Sequence, residues 1–246
     1  MTNDQLKNKV SQITTNLSAY FKEYNITKAV IGLSGGVDSA LVAKLAVMVL
    51  GKENVTALVL PNDGVNKPKN VRDAQEWAME LGIEQHTIAI NPYIDGYTKL
   101  PWESSSLASM NIQARVRMTL LYHYANTHNA IVLGTGNKTE LMLGYFTKYG
   151  DGACDVLPIG NLNKTEVWEM SEHLGLPEVI VHKTASAELM RDQTDEEEIG
   201  MEYSEIDAIL KKFEEGNKPS NEAEQKLYDR IVENQHKGNL PPIIEA

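Results

Sequence analysis

The sequence predicts an α/β protein built on a doubly wound parallel sheet with helices on both faces. Four short apolar runs alternate with longer segments of helical composition; the runs lie at residues 29–33, 55–60, 86–90 and 130–134. A strand that is apolar throughout, rather than on alternate residues, is typical of a parallel sheet that helices cover on each side. Strands that alternate with helices along the chain indicate the same fold class.

Length and composition favour a single domain. The chain has 246 residues, enough for one large α/β domain with a small appendage, and we expect residues 1–246 to form that single unit. A formal net charge of −11 argues against non-specific nucleic-acid binding. The single cysteine, Cys154, excludes an intrachain disulfide and a Cys-rich metal site. A polar start and the lack of any apolar run near ~20 residues predict no signal peptide, no membrane span and a cytoplasmic location.

The helices are predicted from apolar spacing and composition. An amphipathic helix near the start carries apolar residues three and four positions apart, namely Leu6, Val10, Ile13, Leu17, Tyr20, Phe21 and Tyr24. Further helices are predicted over residues 40–50, 71–81, 107–126, 137–143, 164–174, 203–213 and 222–232. The last two form a helical C-terminal extension. Since parallel strands end at one edge of the sheet, the loops after the first three strands should face one crevice.

Residues 34–39 read Ser-Gly-Gly-Val-Asp-Ser and form the turn between the first strand and the next helix. Glycines let the backbone approach a ligand closely, and unpaired amides at a helix start favour an anion such as phosphate. Asp38 would repel phosphate unless a divalent cation lies between them. The alternative is that Ser34 or Asp38 only caps the helix.

Two familiar nucleotide-binding motifs do not fit. A Walker A loop needs a Lys before its final Ser or Thr, and no Lys lies between Gly32 and Ser39. Residues 134–139 match half of the dinucleotide motif G-x-G-x-x-G, but the third glycine and the acidic residue about 20 positions on are missing.

The loop instead resembles the SGGxDS loop of the ATP pyrophosphatases, the PP-loop superfamily, which cut ATP between its α- and β-phosphates. Further along stand Gly-Thr-Gly-Asn-Lys-Thr-Glu at residues 134–140, Gly-Tyr-Phe-Thr-Lys-Tyr-Gly-Asp-Gly at 144–152 and Leu-Asn-Lys-Thr-Glu at 162–166. With Asn-Ile-Gln-Ala-Arg-Val-Arg at 111–117, this set resembles the ammonia-dependent NAD synthetases over nearly the whole chain. The resemblance implies an adenine nucleotide alpha hydrolase-like, Rossmann-like fold.

The resemblance also implies an activity. Deamido-NAD is amidated with ammonia through an adenylated intermediate, giving NAD, AMP and pyrophosphate, with ATP as co-substrate and Mg²⁺ as cofactor. A glutamine-using version needs an amidase domain with a Cys nucleophile, for which this chain has no room. Free ammonia, or ammonia from another protein, is therefore expected.

Site residues follow from the resemblance position by position. The ATP contacts would be Gly32, Leu33, Ser34, Gly35, Gly36, Val37, Asp38, Ser39, Thr135, Lys164 and Ser186, where Ser186 keeps the hydroxyl of a family Thr. The deamido-NAD contacts would be Arg115, Lys148, Asp155, His236 and Lys237. Asp38 and Glu140 would bind the metal, and with Lys164 they form the predicted catalytic set. Asp151 or Asp155 would serve as the base.

Several of these residues could instead have a purely structural or solvent-exposed role. Arg115 could form a surface ion pair, Glu140 could be a helix-surface charge, and His236 could simply be solvated. Cys154 is expected to be a small packing residue. Residues 191–200 are acidic without apolar periodicity, which indicates a solvated, mobile segment extending to about residue 203 or, under the resemblance, a lid.

Other functions remain open at this point. A tRNA-thiolating PP-loop enzyme should be basic with paired cysteines, which this chain is not; the synthetase half of GMP synthetase is a second PP-loop alternative. A non-catalytic ATP-binding module would not need two converging carboxylates. The resemblance implies a homodimer with the deamido-NAD site at the subunit boundary, and the apolar faces of residues 6–24 and 107–126 are compatible with one.

Overall fold

The computed structural model describes residues 1–244 and contains one parallel sheet. Its strands are β1 (Lys28–Gly32), β2 (Val55–Val59), β3 (Glu84–Thr87) and β4 (Ala130–Leu133). They lie in the order β3-β2-β1-β4, and every pair is parallel. The strand order reverses between β1 and β4, so the sheet has a switch point there, where ligands of such folds bind.

The helices follow the predicted alternation. In chain order they are α1 (Asn3–Glu23), α2 (Val37–Leu50), α3 (Pro68–Leu81), α4 (Asn91–Ile94), α5 (Ser106–His128), α6 (Lys138–Leu143), α7 (Lys164–His173), α8 (Glu178–Val181), α9 (Asp195–Ile199), α10 (Tyr203–Glu214) and α11 (Glu222–Asn234). Short 3₁₀ turns lie at Lys52–Asn54, Asp95–Lys99 and Gln235–Lys237. No helix within residues 1–244 is both long and apolar enough to cross a membrane.

Alternating side chains of the strands divide the core into two layers, which confirms helices on both faces. Ala29 and Ile31 of β1 point to the layer formed by α1, α2, α3 and α7. Val30, between them, packs in the other layer, against α5. All five residues of β2 are buried, as a strand covered on both faces requires.

The third strand differs from its prediction. It spans Glu84–Thr87 rather than residues 86–90, and it is polar and largely exposed. The reason is its place at the sheet edge, where only β2 pairs with it. The apolar residues beyond it still bond to the chain after β2: Ile88 donates its amide to Val59 at 2.9 Å and Ile90 to Pro61 at 2.8 Å. Ile90 is buried under α5, which explains the apolar run.

Two helices begin earlier than predicted. Helix α2 begins at Val37, so Asp38 lies in its first turn rather than in the loop, where the carboxylate interacts favourably with the helix dipole. Helix α3 begins at Pro68, a residue suited to a first helical position.

The C-terminal helices form a third apolar cluster beside the site. Tyr203, Ile206 and Leu210 of α10 pack with Leu143 of α6 and Leu227 of α11. The acidic segment before them is not wholly solvated, because α9 forms within it and Asp195 is 4% exposed.

Candidate active site

A cavity of about 390 Å³ opens at the carboxyl ends of β1, β2 and β4, at the switch point. The turn after β1, the loop after β4 and residues 183–198 contribute most of its walls. Of the predicted ATP contacts, all but Gly35 line it: Gly32, Leu33, Ser34, Gly36, Val37, Asp38, Ser39, Thr135, Lys164 and Ser186. The structure therefore brings the separately predicted motifs together.

The turn at residues 34–39 is shaped by its own serines. Ser39 Oγ donates to the Gly36 carbonyl at 3.1 Å, and the Gly36 amide donates to Ser34 Oγ at 3.2 Å. Lys183 Nζ donates to the Gly35 carbonyl at 2.7 Å and pairs with Asp73 at 2.5 Å. The turn is thus fixed from both sides before any anion binds.

Gly35 packs against α3 rather than in the cavity wall. It does not line the cavity; it has φ +82°, and a Cβ there would lie 2.3 Å from the Asn70 carbonyl oxygen of α3. Glycine is required at this position because α3 approaches the turn, whereas Gly36 faces the cavity.

The three predicted catalytic residues converge. Lys164 Nζ lies 2.5 Å from Asp38 Oδ2 and 3.9 Å from Glu140 Oε1, and the Lys164 side chain is 2% exposed. Asn137 Nδ2 donates to the other Asp38 oxygen at 2.9 Å. Glu140 also accepts the Asn137 amide at 3.1 Å in a capping box, so capping and site roles coexist in one residue.

Burial and like charge perturb this cluster. Burial and the neighbouring Asp38 carboxylate raise the pKa of Glu140 to about 8, against the opposing effect of Lys164. Burial alone would lower the pKa of Lys164, but Asp38 and Glu140 outweigh it and raise that pKa to about 12. Asp38 therefore neutralises the Lys164 ammonium, and Glu140, with a pKa of about 8, holds its proton at neutral pH when no further cation is bound.

Asp38 and Glu140 are the two carboxylates that could bind a cation in this cluster. Within residues 1–244 no group of three or more His, Cys, Asp or Glu side chains is placed to hold a metal ion. Any cation bound by Asp38 and Glu140 would take its other ligands from a substrate or from water.

Asp207 of α10 forms hydrogen bonds to both α6 and α7, the helices that carry Glu140 and Lys164. Its carboxylate accepts from Thr139 Oγ1 at 2.5 Å and from the amide and hydroxyl of Thr165, each at 2.8 Å. Thr139 in turn accepts the Lys164 amide at 3.0 Å. Thr139 precedes Glu140 and Thr165 follows Lys164, so Asp207 fixes the starts of α6 and α7 relative to each other.

The predicted deamido-NAD contacts divide into two groups. Lys237 lines the cavity. Arg115, Lys148 and His236 do not, but hydrogen bonds join them: Arg115 donates to the Lys148 carbonyl at 3.3 Å, and Lys148 Nζ to the His236 carbonyl at 2.8 Å. They form a continuous surface beside the cavity.

Asp155 lies away from the cavity. Its carboxylate accepts from Tyr122 Oη at 3.0 Å and from the Val132 amide at 2.8 Å. Of the two candidate bases only Asp151 lines the cavity, where its carboxylate accepts the Thr147 amide at 2.9 Å and burial raises its pKa. Burial raises the pKa of the Cys154 thiol to about 11, which fits a packing residue rather than a nucleophile.

Residues 183–198 lie across the cavity and are held on both sides. Glu188 accepts from Asn66 Nδ2 at 3.1 Å and from Asn70, while Arg191 Nε donates to the Gly64 carbonyl at 2.6 Å. Buried Asp195 accepts from Tyr203 Oη at 3.0 Å and Tyr145 Oη at 3.1 Å. Arg191 and Asp195 lie within residues 191–203, the segment that the sequence predicts to be mobile.

Several site residues escaped sequence reasoning. Asn137 had a local signal, since Asn followed three residues later by Glu is a capping pattern. Asp207 had none, because its partners Thr139 and Thr165 lie 68 and 42 residues away. Arg230 of α11 also lines the cavity, although the sequence predicts only that it lies in a helix.

Comparison with known proteins adds a family. The family described as NAD synthase matches residues 9–241. The NH(3)-dependent NAD(+) synthetase of Archaeoglobus fulgidus is 47% identical over 88% of each chain.

Two solved structures are similar over essentially their whole length. NMN synthetase from Francisella tularensis has a TM-score of 0.90 and 39% identity, covering 98% of this chain and 99% of its own. NH3-dependent NAD synthetase from Campylobacter jejuni, in complex with nitrate, has a TM-score of 0.84 and 33% identity, covering 100% of each.

A Gly35→Ala variant tests the closeness of α3 to the turn. We expect ATP-analogue binding to weaken at least tenfold, because the added Cβ must push the turn or α3 aside. Gly175→Ala is the matched control: Gly175 also has positive φ, at +70°, but nothing within 4 Å of an added Cβ. Equal binding by both variants, measured by calorimetry, would show that the contact with Asn70 is unimportant.

An Asp207→Ala variant tests the tie between α6 and α7. It leaves buried Thr139 and half-buried Thr165 without their acceptor, so we expect a loss of about 1–3 kcal/mol in unfolding free energy and at least a tenfold loss of turnover. Glu205→Ala, an exposed change in the same helix, should do neither. Thermal unfolding and steady-state rates measure the two effects, and full activity in Asp207→Ala would refute the positioning role.

Proposed function

Because this chain belongs to the NAD synthase family, we propose that it joins ammonia to the nicotinate carboxylate of deamido-NAD and consumes ATP, releasing NAD, AMP and pyrophosphate. The observation that carries the proposal is the convergence of Asp38, Glu140 and Lys164 beside the residue 34–39 turn in one cavity. This is a site for a polyphosphate with a reacting phosphorus, not a passive nucleotide pocket.

The first step is attack of a nicotinate carboxylate oxygen on the α-phosphorus of ATP. The new bond is from that oxygen to phosphorus, and the bond from phosphorus to the α,β-bridging oxygen breaks, so pyrophosphate leaves. Backbone amides of the turn and the N-terminus of α2 hold the leaving group. Lys164 places its ammonium beside the phosphates and balances the charge that develops on their oxygens.

The second step is attack of ammonia on the adenylated carbonyl carbon, with AMP as leaving group. The attacking nitrogen must lose one proton to become the amide nitrogen. Asp151 is the proposed acceptor, because its carboxylate lies in the cavity while that of Asp155 does not.

Asp38 and Glu140 are the proposed Mg²⁺ ligands. Hard carboxylate oxygens suit that cation, and a bound cation would favour the charged form of Glu140, whose pKa is raised by burial and by the Asp38 carboxylate. With only two acidic ligands, the site fits a cation that arrives with phosphate oxygens. When bound, Mg²⁺ supplies Lewis-acid stabilisation of the charge on the transferring phosphorus.

The nicotinate mononucleotide is a second candidate substrate. The observation that favours it is the TM-score of 0.90 to a protein described as NMN synthetase, against 0.84 to one described as NAD synthetase. Both acids present the same carboxylate to the same α-phosphorus, so the chemistry above applies to either.

We also propose that the chain forms a homodimer. Fewer surface features support the dimer than the sequence alone indicates. The apolar face of α1 is covered by its own chain, since Leu6, Val10, Leu17 and Phe21 are buried in the core. Support comes instead from exposed Trp102 and Leu107 at the start of α5. The predicted substrate contacts outside the cavity also suit a site that a partner completes.

Product analysis tests the reaction. With ATP, Mg²⁺, ammonium and deamido-NAD we expect AMP and pyrophosphate in equal amounts with NAD, because the turn lacks a Walker lysine and the site addresses the α-phosphorus. Parallel reactions with nicotinate mononucleotide decide between the two acids. ADP and phosphate as products would contradict the proposal.

Asp38→Asn and Glu140→Gln test the metal assignment. Each should lower turnover by at least a hundredfold, because a metal ligand beside the reacting phosphorus is lost. Each should also lower the melting temperature while leaving the chain folded, because buried Lys164 loses a partner. Asp4→Asn is the control, since Asp4 is also acidic and in a first helical turn but exposed. Near-normal rates at saturating Mg²⁺ would remove these residues from the metal site.

A further inference from the structure

Arg230 is a half-buried cation that the mechanism above does not use. It lies on α11 and lines the cavity, and its Nε is buried with no hydrogen-bond partner. Its guanidinium lies over the Tyr145 ring, 5.4 Å from the centroid. A buried donor left without an acceptor costs about 1–3 kcal/mol, so its retention in a cavity wall points to a ligand.

The nearby carboxylates are already engaged elsewhere. Asp195 accepts from Tyr145 and Tyr203, and Glu198 accepts from Tyr145 at 2.8 Å and Gln193 at 2.7 Å. Within residues 1–244, Arg230 forms no salt bridge. The chain thus supplies no anion for this guanidinium.

A second cation without a carboxylate partner lies close by. Lys237 Nζ donates to the Gly144 carbonyl at 2.7 Å and to the Phe146 carbonyl at 3.3 Å, and it too forms no salt bridge in the described chain. Burial, followed by the charge of Arg230, lowers the pKa of Lys237, against the opposing effect of the Asp151 and Glu198 carboxylates. Two cations that repel each other in a cavity wall form a site that an anion would stabilise.

The position of Arg230 and Lys237 indicates which anionic group of the substrate they would bind. Lys237 is fixed to Gly144, the C-cap of α6, and Glu140 lies in the first turn of that helix, four residues or about 6 Å away along the axis. A nicotinate nucleotide carries two kinds of anionic group, its carboxylate and its phosphate. The carboxylate must reach the α-phosphorus beside Lys164, so the phosphate is left for cations farther along the cavity.

We propose that Arg230 is a further substrate-binding residue, whose guanidinium binds, together with Lys237, a phosphate of the nicotinate nucleotide. This inference rests on the proposed function. A planar guanidinium presents paired donors that match phosphate oxygens, and stacking on Tyr145 holds its plane in place. Because Tyr145 is bonded to Asp195 and Glu198, segment 183–198 also fixes the orientation of Arg230.

The experiment compares Arg230→Met and Arg230→Lys with the wild type. For Arg230→Met we expect the KM of the nicotinate nucleotide to rise about ten- to a hundredfold, as for a lost hydrogen bond to a charged group. The KM of ATP and kcat should change less than twofold. Arg230→Lys should be intermediate, and higher salt should narrow the difference from wild type. Lys226→Met is the matched control, a cation on the same helix whose side chain is 75% exposed.

Calorimetry without turnover separates this inference from the proposed function. Deamido-NAD and nicotinate mononucleotide are titrated into each variant in the absence of ATP. Weaker binding of both acids supports a contact to the phosphate on the nicotinate side, and weaker binding of deamido-NAD alone supports a contact to its second phosphate. Unchanged binding by Arg230→Met, or a rise confined to the KM of ATP, overturns the inference. Lack of amide product from the wild type, with binding still dependent on Arg230, overturns the reaction only.

Discussion

The buried ammonium of Lys164 between Asp38 and Glu140 is the interaction on which the rest of the site depends. A charge that is 2% exposed is tolerated only where opposite charges and hydrogen bonds surround it. Asp38, Glu140 and Lys164 lie in the first turns of α2, α6 and α7, so three helix starts must meet at one point. The sheet order makes this possible, because β1 and β4, which lead into α2 and α6, are neighbours.

Helix electrostatics explain why the cluster needs this arrangement. Carboxylates in a first helical turn are stabilised by the helix dipole, as for Asp38 and Glu140, but a cation at a helix start is not. Lys164 is the first residue of α7, so its position is set by the two carboxylates rather than by its own helix. Asp207, which accepts three hydrogen bonds at the starts of α6 and α7, holds these helix starts together from behind.

Sequence reasoning reached the fold and the centre of the site because both leave local signals. Apolar runs predict the strands, and the turn at residues 34–39 predicts where the phosphates of ATP bind. The predicted position of β3 is wrong because an edge strand tolerates polar residues. The apolar residues that suggest a strand lie just beyond β3. Sequence reasoning also assigned Gly35 a ligand contact, although that glycine meets the Asn70 carbonyl of α3. Contacts such as those of Asp207 and Arg230 depend on tertiary packing, which no spacing along the chain encodes.

Five cations and six carboxylates line the cavity, in a chain with a formal net charge of −11. Its cations are of two kinds. Lys164 and Lys183 are paired with carboxylates of the chain, Asp38 and Asp73. Arg117, Arg230 and Lys237 form no salt bridge within residues 1–244, although Arg117 donates to the Leu60 carbonyl and to Asn66 Oδ1. Under the proposed mechanism this division has a reason. ATP brings a divalent cation with it, so its end of the cavity needs carboxylates as well as cations. The phosphate of the nicotinate nucleotide brings no such ion, and its end must therefore supply positive charge that the chain has not already neutralised.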